Sequence, residues 1–400
     1  MKIINRDMGL FNLNKNKKKV EQESTPKEEG KKVTLLNTIS TENMDLSQPF
    51  IGDELRAGTN WVYFGGNNLY PNILNQLYLS SPMHSSCVDF KTWSVIGEGY
   101  EWEGYDKMDG LEKIKVKTFE RTNKFKDSFR KLTRDYIKHG RSIVLLHFNG
   151  EDYDKFKVVD PSEIRNSKGA LFTDIQQYFY SDNWLYRTNP RVFKPYRVGS
   201  KDEWQIFEIK NEVGSSRTYG LPDWLSSANW QSVSADLGLL HKSALENGIQ
   251  PSVIFSYPYL MGDEEDENWM ANMRNNQKGV KNYNKAMKIE HNGLENSPDI
   301  RVLETSDNHK LFEQTSKEQK EEIAISHNIN PALMGVRVAG SLGASDEIEF
   351  SAIQFEKIWL NDNRNKMEDF LNDILSIFNM TPIEINKTEI KTFGDKKEDI

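Results

Sequence analysis

The chain has 400 residues, which at about 150 residues per domain means two or three domains and room for a sizeable core. Lys and Arg number 52 and Asp and Glu 60, a net charge of −8, which excludes a protein that coats nucleic acid through a net-positive surface. A single cysteine, Cys87, excludes an internal disulfide framework and any zinc site with two thiolates.

Residues 1–45 read as a disordered arm: nine basic residues stand against five acidic ones in 1–32, with too little apolar area to offset the entropy of ordering. Neither Met1 to Lys19 nor the longest apolar stretch, Ile143 to Phe148, has the length of a signal peptide core or a membrane span. No membrane contact is expected.

Order is expected from about Asp53. Gly65 to Asn68 is a turn signature, and Pro71 suits the first turn of a helix carrying Ile73, Leu74, Leu77 and Tyr78. Ser81-Pro82 opens a second helix with Cys87, Phe90 and Ile96 on its apolar side; Gly97 and Gly99 end it. A third helix runs from about Lys124 to Lys138 and stops at Gly140. Ser142 to Phe148 is a buried strand. Phe156 to Asp160, Gln177 to Tyr180, Arg191 to Val198 and Trp204 to Ile209 are further strands, and Pro161, Pro190 and Pro195 place several of them at edges.

Tyr219 to Pro222 makes a corner before a helix from about Asp223 to Asn247. Val253 to Tyr257, Lys285 to Glu290 and Ile300 to Leu303 are strands, and Asp263 to Asn282 is a helix with an acidic first turn. The helix Leu311 to Asn328 has few apolar positions, so it is expected to face polar neighbours or water. Gly335 to Ser345 is a flexible loop. Asp346 to about Asn379 is a long helix with a bend expected at the polar run Asn361 to Lys366. Residues 383–393 give a short strand and a tail.

Chemistry is sparse. Gly335 to Leu342 imitates a phosphate loop but lacks its lysine. Asp346, Glu347 and Glu349 are explained by the dipole of the helix they open, although a metal-dependent nuclease is the reading they would serve otherwise. His84 and Cys87 stand three apart without further ligands and read as core positions. Neither an HExxH nor a GxSxG pattern occurs, and nothing points to an enzyme, a cofactor or a metal.

The order of pieces resembles the portal proteins of tailed bacteriophages, in the compact form of the long-tailed phages. The resemblance is carried by Asn68-Leu69-Tyr70-Pro71, Leu77-Tyr78 and Ser81 to His84; by Tyr219-Gly220-Leu221, Leu245 to Gly248 and Pro251 to Ile254; by Glu321 to Ala324 running into Ile329 to Gly335; and by the Ser341 to Glu349 loop with the helix ending Phe370 to Leu375. It spans about 53–380.

That resemblance implies an α+β fold and a dodecameric ring at one capsid vertex, in the virion and, during assembly, in the host cytoplasm. It implies a wing over 46–218, a stem helix at 219–248, a clip at 249–308, a second stem helix at 309–330, a channel loop at 331–346, a long wing or crown helix at 347–380 and a strand and tail at 381–400. The implied partners are other copies of the chain, double-stranded DNA without sequence preference, terminase, a head–tail adaptor and the major capsid protein. Arg337, Gly340, Ser341 and Gly343 would lie on the channel loop, and Asp263, Glu264, Glu265, Asp266 and Glu267 would dock a partner at the clip. The alternative is another ring-forming head or tail connector.

Overall fold

The computed structural model describes residues 59–168, 175–185, 189–213, 218–247, 253–256, 299–302, 308–336 and 345–388. The expected arm at 1–45 lies outside them. Helices α1 (Tyr70–Ser80) and α2 (Pro82–Ile96) each carry a proline in the first turn, where no backbone N–H is needed. Strand β1 (Gly99–Trp102) leads to α3 (Gly110–Asn123), whose start is fixed by a capping box between Asp109 and Glu112. Helix α4 (Phe125–His139) ends at Gly140, which is left-handed at φ 69°.

Six strands follow: β2 (Arg141–Phe148), β3 (Tyr153–Val159), β4 (Ile164–Asn166), β5 (Tyr178–Tyr180), β6 (Arg191–Pro195) and β7 (Trp204–Lys210). They form one sheet in the order β3-β2-β7-β6-β5-β4, antiparallel except where β6 meets β7. The apolar run of β2 is continuous because both of its faces are covered. Val144 and Leu146 join the main core with α2, α3 and α4, while Ile143 packs with Val159, Ile164 and Ile206 on the other side.

Side chains, and on β4 also the Val62 backbone, engage part of both outer edges of this sheet. On β3, the Phe156 N–H donates to Asn123 Oδ1 at 2.8 Å and the Val158 carbonyl accepts from Lys131 Nζ at 3.1 Å. On β4, the Asn166 carbonyl accepts from the Val62 N–H and the Asn166 N–H donates to the Tyr219 hydroxyl. These contacts occupy part of the backbone of each edge.

A 3-10 turn, Asp223–Ser227, opens into α5 (Ala228–Asn247). Strands β8 (Val253–Ser256) and β9 (Asp299–Val302) pair antiparallel. Then come α6 (Asn308–Ser326), a 3-10 turn at Pro331–Met334, and α7 (Ser345–Phe355). A π-helical turn, Glu356–Leu360, joins α7 without a break to α8 (Asn361–Ile377). Strand β10 (Ile383–Asn386) returns to pair with β1, so the end of the described chain closes the main core. Among the described residues no helix is long and apolar enough to cross a membrane.

Three expectations change. Helix α3 is additional to the elements expected from periodicity. The proline rule misplaces β6: it lies inside the sheet order, touching β7 only through Lys194 and Pro195, and Pro161 sits in a 3-10 turn. The irregularity in the long helix falls at Glu356–Leu360, ahead of the polar run, and it is a π turn. The expected strand Lys285 to Glu290 and the helix Asp263 to Asn282 lie outside the described residues.

Candidate functional site

Helices α5 and α6 pack together, and their near ends are pinned by a hydrogen bond of 2.6 Å from Ser326 to Ser227. Along α5, Ser234 is the last buried residue among the described side chains, and Asp236, Gly238 and Leu239 are exposed. Along α6, Glu313, Lys317, Glu318 and Lys320 are exposed, and burial sets in with Gln319, Ile323 and Ala324. The pair therefore leaves the body together, in opposite chain directions, and the segment between them carries the β8–β9 ribbon. The polar composition of 313–328 fits this geometry: among the described side chains, those over 313–318 are exposed or half-buried and the packed ones lie in the later turns.

After α6 the chain turns back at Asn330, whose side chain accepts from the Ala332 N–H, and Gly335 closes the turn at φ 72°. Ile325 and Ile358 stand at the rim of a groove of about 280 Å³ formed with Ile329, Pro331 and Phe355, and both are largely exposed. Ile348 and Phe350 on α7 are also exposed. The expected loop residues Arg337, Gly340, Ser341 and Gly343 lie outside the described residues, as do Asp263, Glu264, Glu265, Asp266 and Glu267. Asp346 opens α7, and Glu349 follows half-buried. Among the described residues no three His, Cys, Asp or Glu side chains stand together as a metal site.

Beneath this region lies a buried polar knot that periodicity did not reveal. Lys91, on α2, is fully buried; its ammonium pairs with Asp223 Oδ2 at 2.9 Å and sits 4.1 Å from the centre of the Trp359 ring. The Trp359 indole N–H donates to the same carboxylate oxygen at 2.5 Å. Burial holds the Lys91 pKa below its ordinary value, and Asp223 works against that pull. One carboxylate thus ties α2, the start of the α5 segment and the π turn.

Next to it, His84 Nδ1 and His327 Nε2 are 3.0 Å apart, with Trp224 packed on both rings and its own N–H given to the Ile137 carbonyl. Burial, aided by Lys91, pushes His84 down to about 3 and His327 well below the usual imidazole range. Both rings are neutral at pH 7, so one donates and the other accepts. His84 and Cys87 are core positions, as their spacing without further ligands indicates. The one signal for the knot in the sequence is a lysine, Lys91, among the inward positions of an apolar helix.

No family model matches the sequence, and no curated relative matches it. Solved structures do. The chain aligns with a chain of the native gene transfer agent virion over 78% of its own length and 82% of the other, at 17% identity and a TM-score of 0.52. It aligns with a chain of the neck of the native gene transfer agent particle, computed with C12 symmetry, over 79% and 83%, at 15% identity and a TM-score of 0.53. An HK97-family phage portal protein from Corynebacterium diphtheriae aligns over 78% and 95% at 11% identity, with a TM-score of 0.48, too low to add weight. At these identities the likeness is one of fold. The chain has the mixed α/β fold of these particle chains.

Proposed function

We propose that this chain is the subunit of a portal: a ring at one vertex of a virus-like particle that passes double-stranded DNA and docks the proteins on either side. The observation that carries this reading is the α5–α6 pair leaving the body with wet flanks beside the exposed Ile325, Ile348, Phe350 and Ile358. A lone chain gains nothing by showing water so many large apolar groups next to a half-packed helix pair, whereas repeated copies bury them. The likeness of fold to neck chains supports it.

On this reading residues 46–218 with the helix at 347–380 form the wing, α5 and α6 the stem, 249–308 the clip and 331–346 the channel loop. Asp263 to Glu267 would meet a basic partner at the clip, terminase during packaging and the adaptor afterwards. Arg337, on a loop with Gly340, Ser341 and Gly343, would put one cation per subunit toward the phosphates. An otherwise acidic wall keeps the duplex from sticking, because each phosphate neutralised releases counterions and adds affinity. The place of action is the virion.

Electron microscopy of the purified full chain, alone and with its capsid partners, tests this. A ring with a central hole is expected. A species that stays monomeric with every partner present overturns it, and a closed disc without a bore favours the connector alternative.

A further inference from the structure

The π turn at Glu356–Leu360 changes which residues of α7 face inward. Carrying the α8 register back in fours from the buried Arg364 through Leu360, as an uninterrupted α-helix would, brings Glu356 and Ala352 to the core side, whereas on the α7 side the buried set runs back from Trp359. Instead Phe355 and Ser351 are buried, while Glu356 and Ala352 are only partly covered. The π turn takes up one residue, and that slip sets Phe355 against Phe90 and, stacked at 16°, against Trp359.

The contacts that hold this slipped register all come from elsewhere in the chain or from the turn's own flank. Trp359 gives its indole N–H to Asp223 and receives the Lys91 ammonium on its face. Asn363 Nδ2 donates to the Trp359 carbonyl at 2.8 Å. The backbone on both sides is ordinary helix, with Phe355 at φ −59°, ψ −44° and Asn361 at φ −61°, ψ −44°, so the turn is held by side-chain contacts and core packing and not by strain at its ends.

We propose that the Lys91–Asp223–Trp359 cluster is a register latch. Engaged, it holds the turn in π form. Released, the turn relaxes to α-helix, and Ser345–Phe355 rotates by about 100° and moves by about 1.5 Å along its axis relative to α8, which is one residue of helix. The exposed Ile348 and Phe350 then point elsewhere. The latch belongs to the single chain and goes beyond the portal reading: it holds or fails whether or not a ring forms.

Spin labels on cysteines placed at the exposed Phe350 and Lys117 of the full chain report the direction of α7 by their separation; Cys87 is fully buried and stays unlabelled. One distance is expected with the latch intact. Trp359→Phe, which keeps the ring and removes the donor, and Asp223→Asn, which removes the charge, should each add a second, shifted distance. Deleting Lys357 removes the extra residue, so a regular helix then keeps the original faces. In that background Trp359→Phe should leave one unshifted distance. The latch is overturned if both point variants fold, by circular dichroism, with the original distance alone, or if the shift persists in the deletion background.

Discussion

Arg165 Nε donates to Asn68 Oδ1 at 2.7 Å across 97 residues of sequence, and the same guanidinium gives Nη2 to the Asn68 carbonyl at 2.6 Å. Arg165 is fully buried with carbonyl and amide oxygens as its hydrogen-bond acceptors, and burial brings its pKa down to about 9. Asn68 also accepts from the Phe64 N–H at 3.1 Å and sits left-handed at φ 64°. The asparagine thus closes the turn before α1 and anchors it to β4.

Asn68→Ala removes the acceptor of two buried donors and puts a β-carbon in a left-handed conformation, so it should lower unfolding stability by about 3 kcal/mol. Asn68→Gly loses the same acceptor without the backbone strain and should cost about 1 kcal/mol less. Equilibrium urea unfolding of the two variants separates the terms; equal losses would remove the backbone contribution.

Gly140 and Gly220 make the tightest crossing in the described chain. A β-carbon on Gly140 would lie 2.0 Å from the Leu221 carbonyl carbon, and one on Gly220 would lie 2.1 Å from the Gly140 oxygen. The Asn211 N–H reaches that oxygen at 2.7 Å, which locks the end of α4 against the corner before α5. Gly140→Ala or Gly220→Ala should cost more than about 3 kcal/mol, because backbone must move. Gly238→Ala, in α5 with open space around it, should instead add up to about 1 kcal/mol of helix stability. Thermal unfolding of the three variants checks the contrast.

What the sequence shows follows from how local each cause is. The α1, α2 and α4 helices and strand β2 announce themselves because their apolar spacing and their Pro or Gly boundaries are read within one element. Helix α3 hides because Leu111 and Ile114 face water and only Val116, Phe119 and Asn123 face inward, so its periodicity is weak. Its start was written in Asp109 and Glu112, a capping box. The β1–β10 pair and the His84–His327 contact join residues far apart in sequence, and no window of residues can hold that information. The π turn escapes for a different reason: it is set by Lys91 and Asp223, which lie on other elements, and its own residues look helical.

Stability should peak near neutrality, for two opposed reasons. Burial raises Asp135 to about 7, chiefly by desolvation. A carboxyl whose folded pKa exceeds its unfolded value takes up a proton on folding, so stability rises as pH falls through the folded pKa, starting between about 8.5 and 6.5 and continuing toward the unfolded carboxyl value, until below 6.5 the three buried histidines outweigh this one carboxyl. Asp135→Asn should flatten that limb and raise the melting temperature at pH 8.5. A variant that still gains stability over that range would show that another group is responsible.

Below that range the buried imidazoles act the other way. His84 is held at about 3 when folded against 6.5 unfolded, and His139 and His327 are also lowered by burial. A base with a depressed folded pKa gives stability that is present above 6.5 and is lost as pH falls toward the folded value. At pH 5 the loss for His84 alone is about 2 kcal/mol. Melting temperature should drop steeply between pH 6.5 and 5, and less steeply in His84→Asn, whose lower baseline does not alter the slope being read.

The wetted half of α6 gives the portal reading its sharpest test. Among its described side chains, the exposed Glu313, Glu318 and Glu322 outweigh Lys317 and Lys320, and Lys317 is partly answered by Glu321 at 3.9 Å. If this helix lines a bore for DNA, its acidic excess keeps the wall from holding phosphates. Glu318→Lys with Glu322→Lys reverses that balance on the same face, and each phosphate newly neutralised should steepen the fall of log K with log salt by about 0.9. Assembled wild-type rings should release duplex DNA at physiological salt, and rings of the double variant should retain it with a steeper salt dependence. Assembled variant rings with an unchanged slope would take α6 off the channel wall, because repeated cations facing a duplex cannot fail to displace counterions.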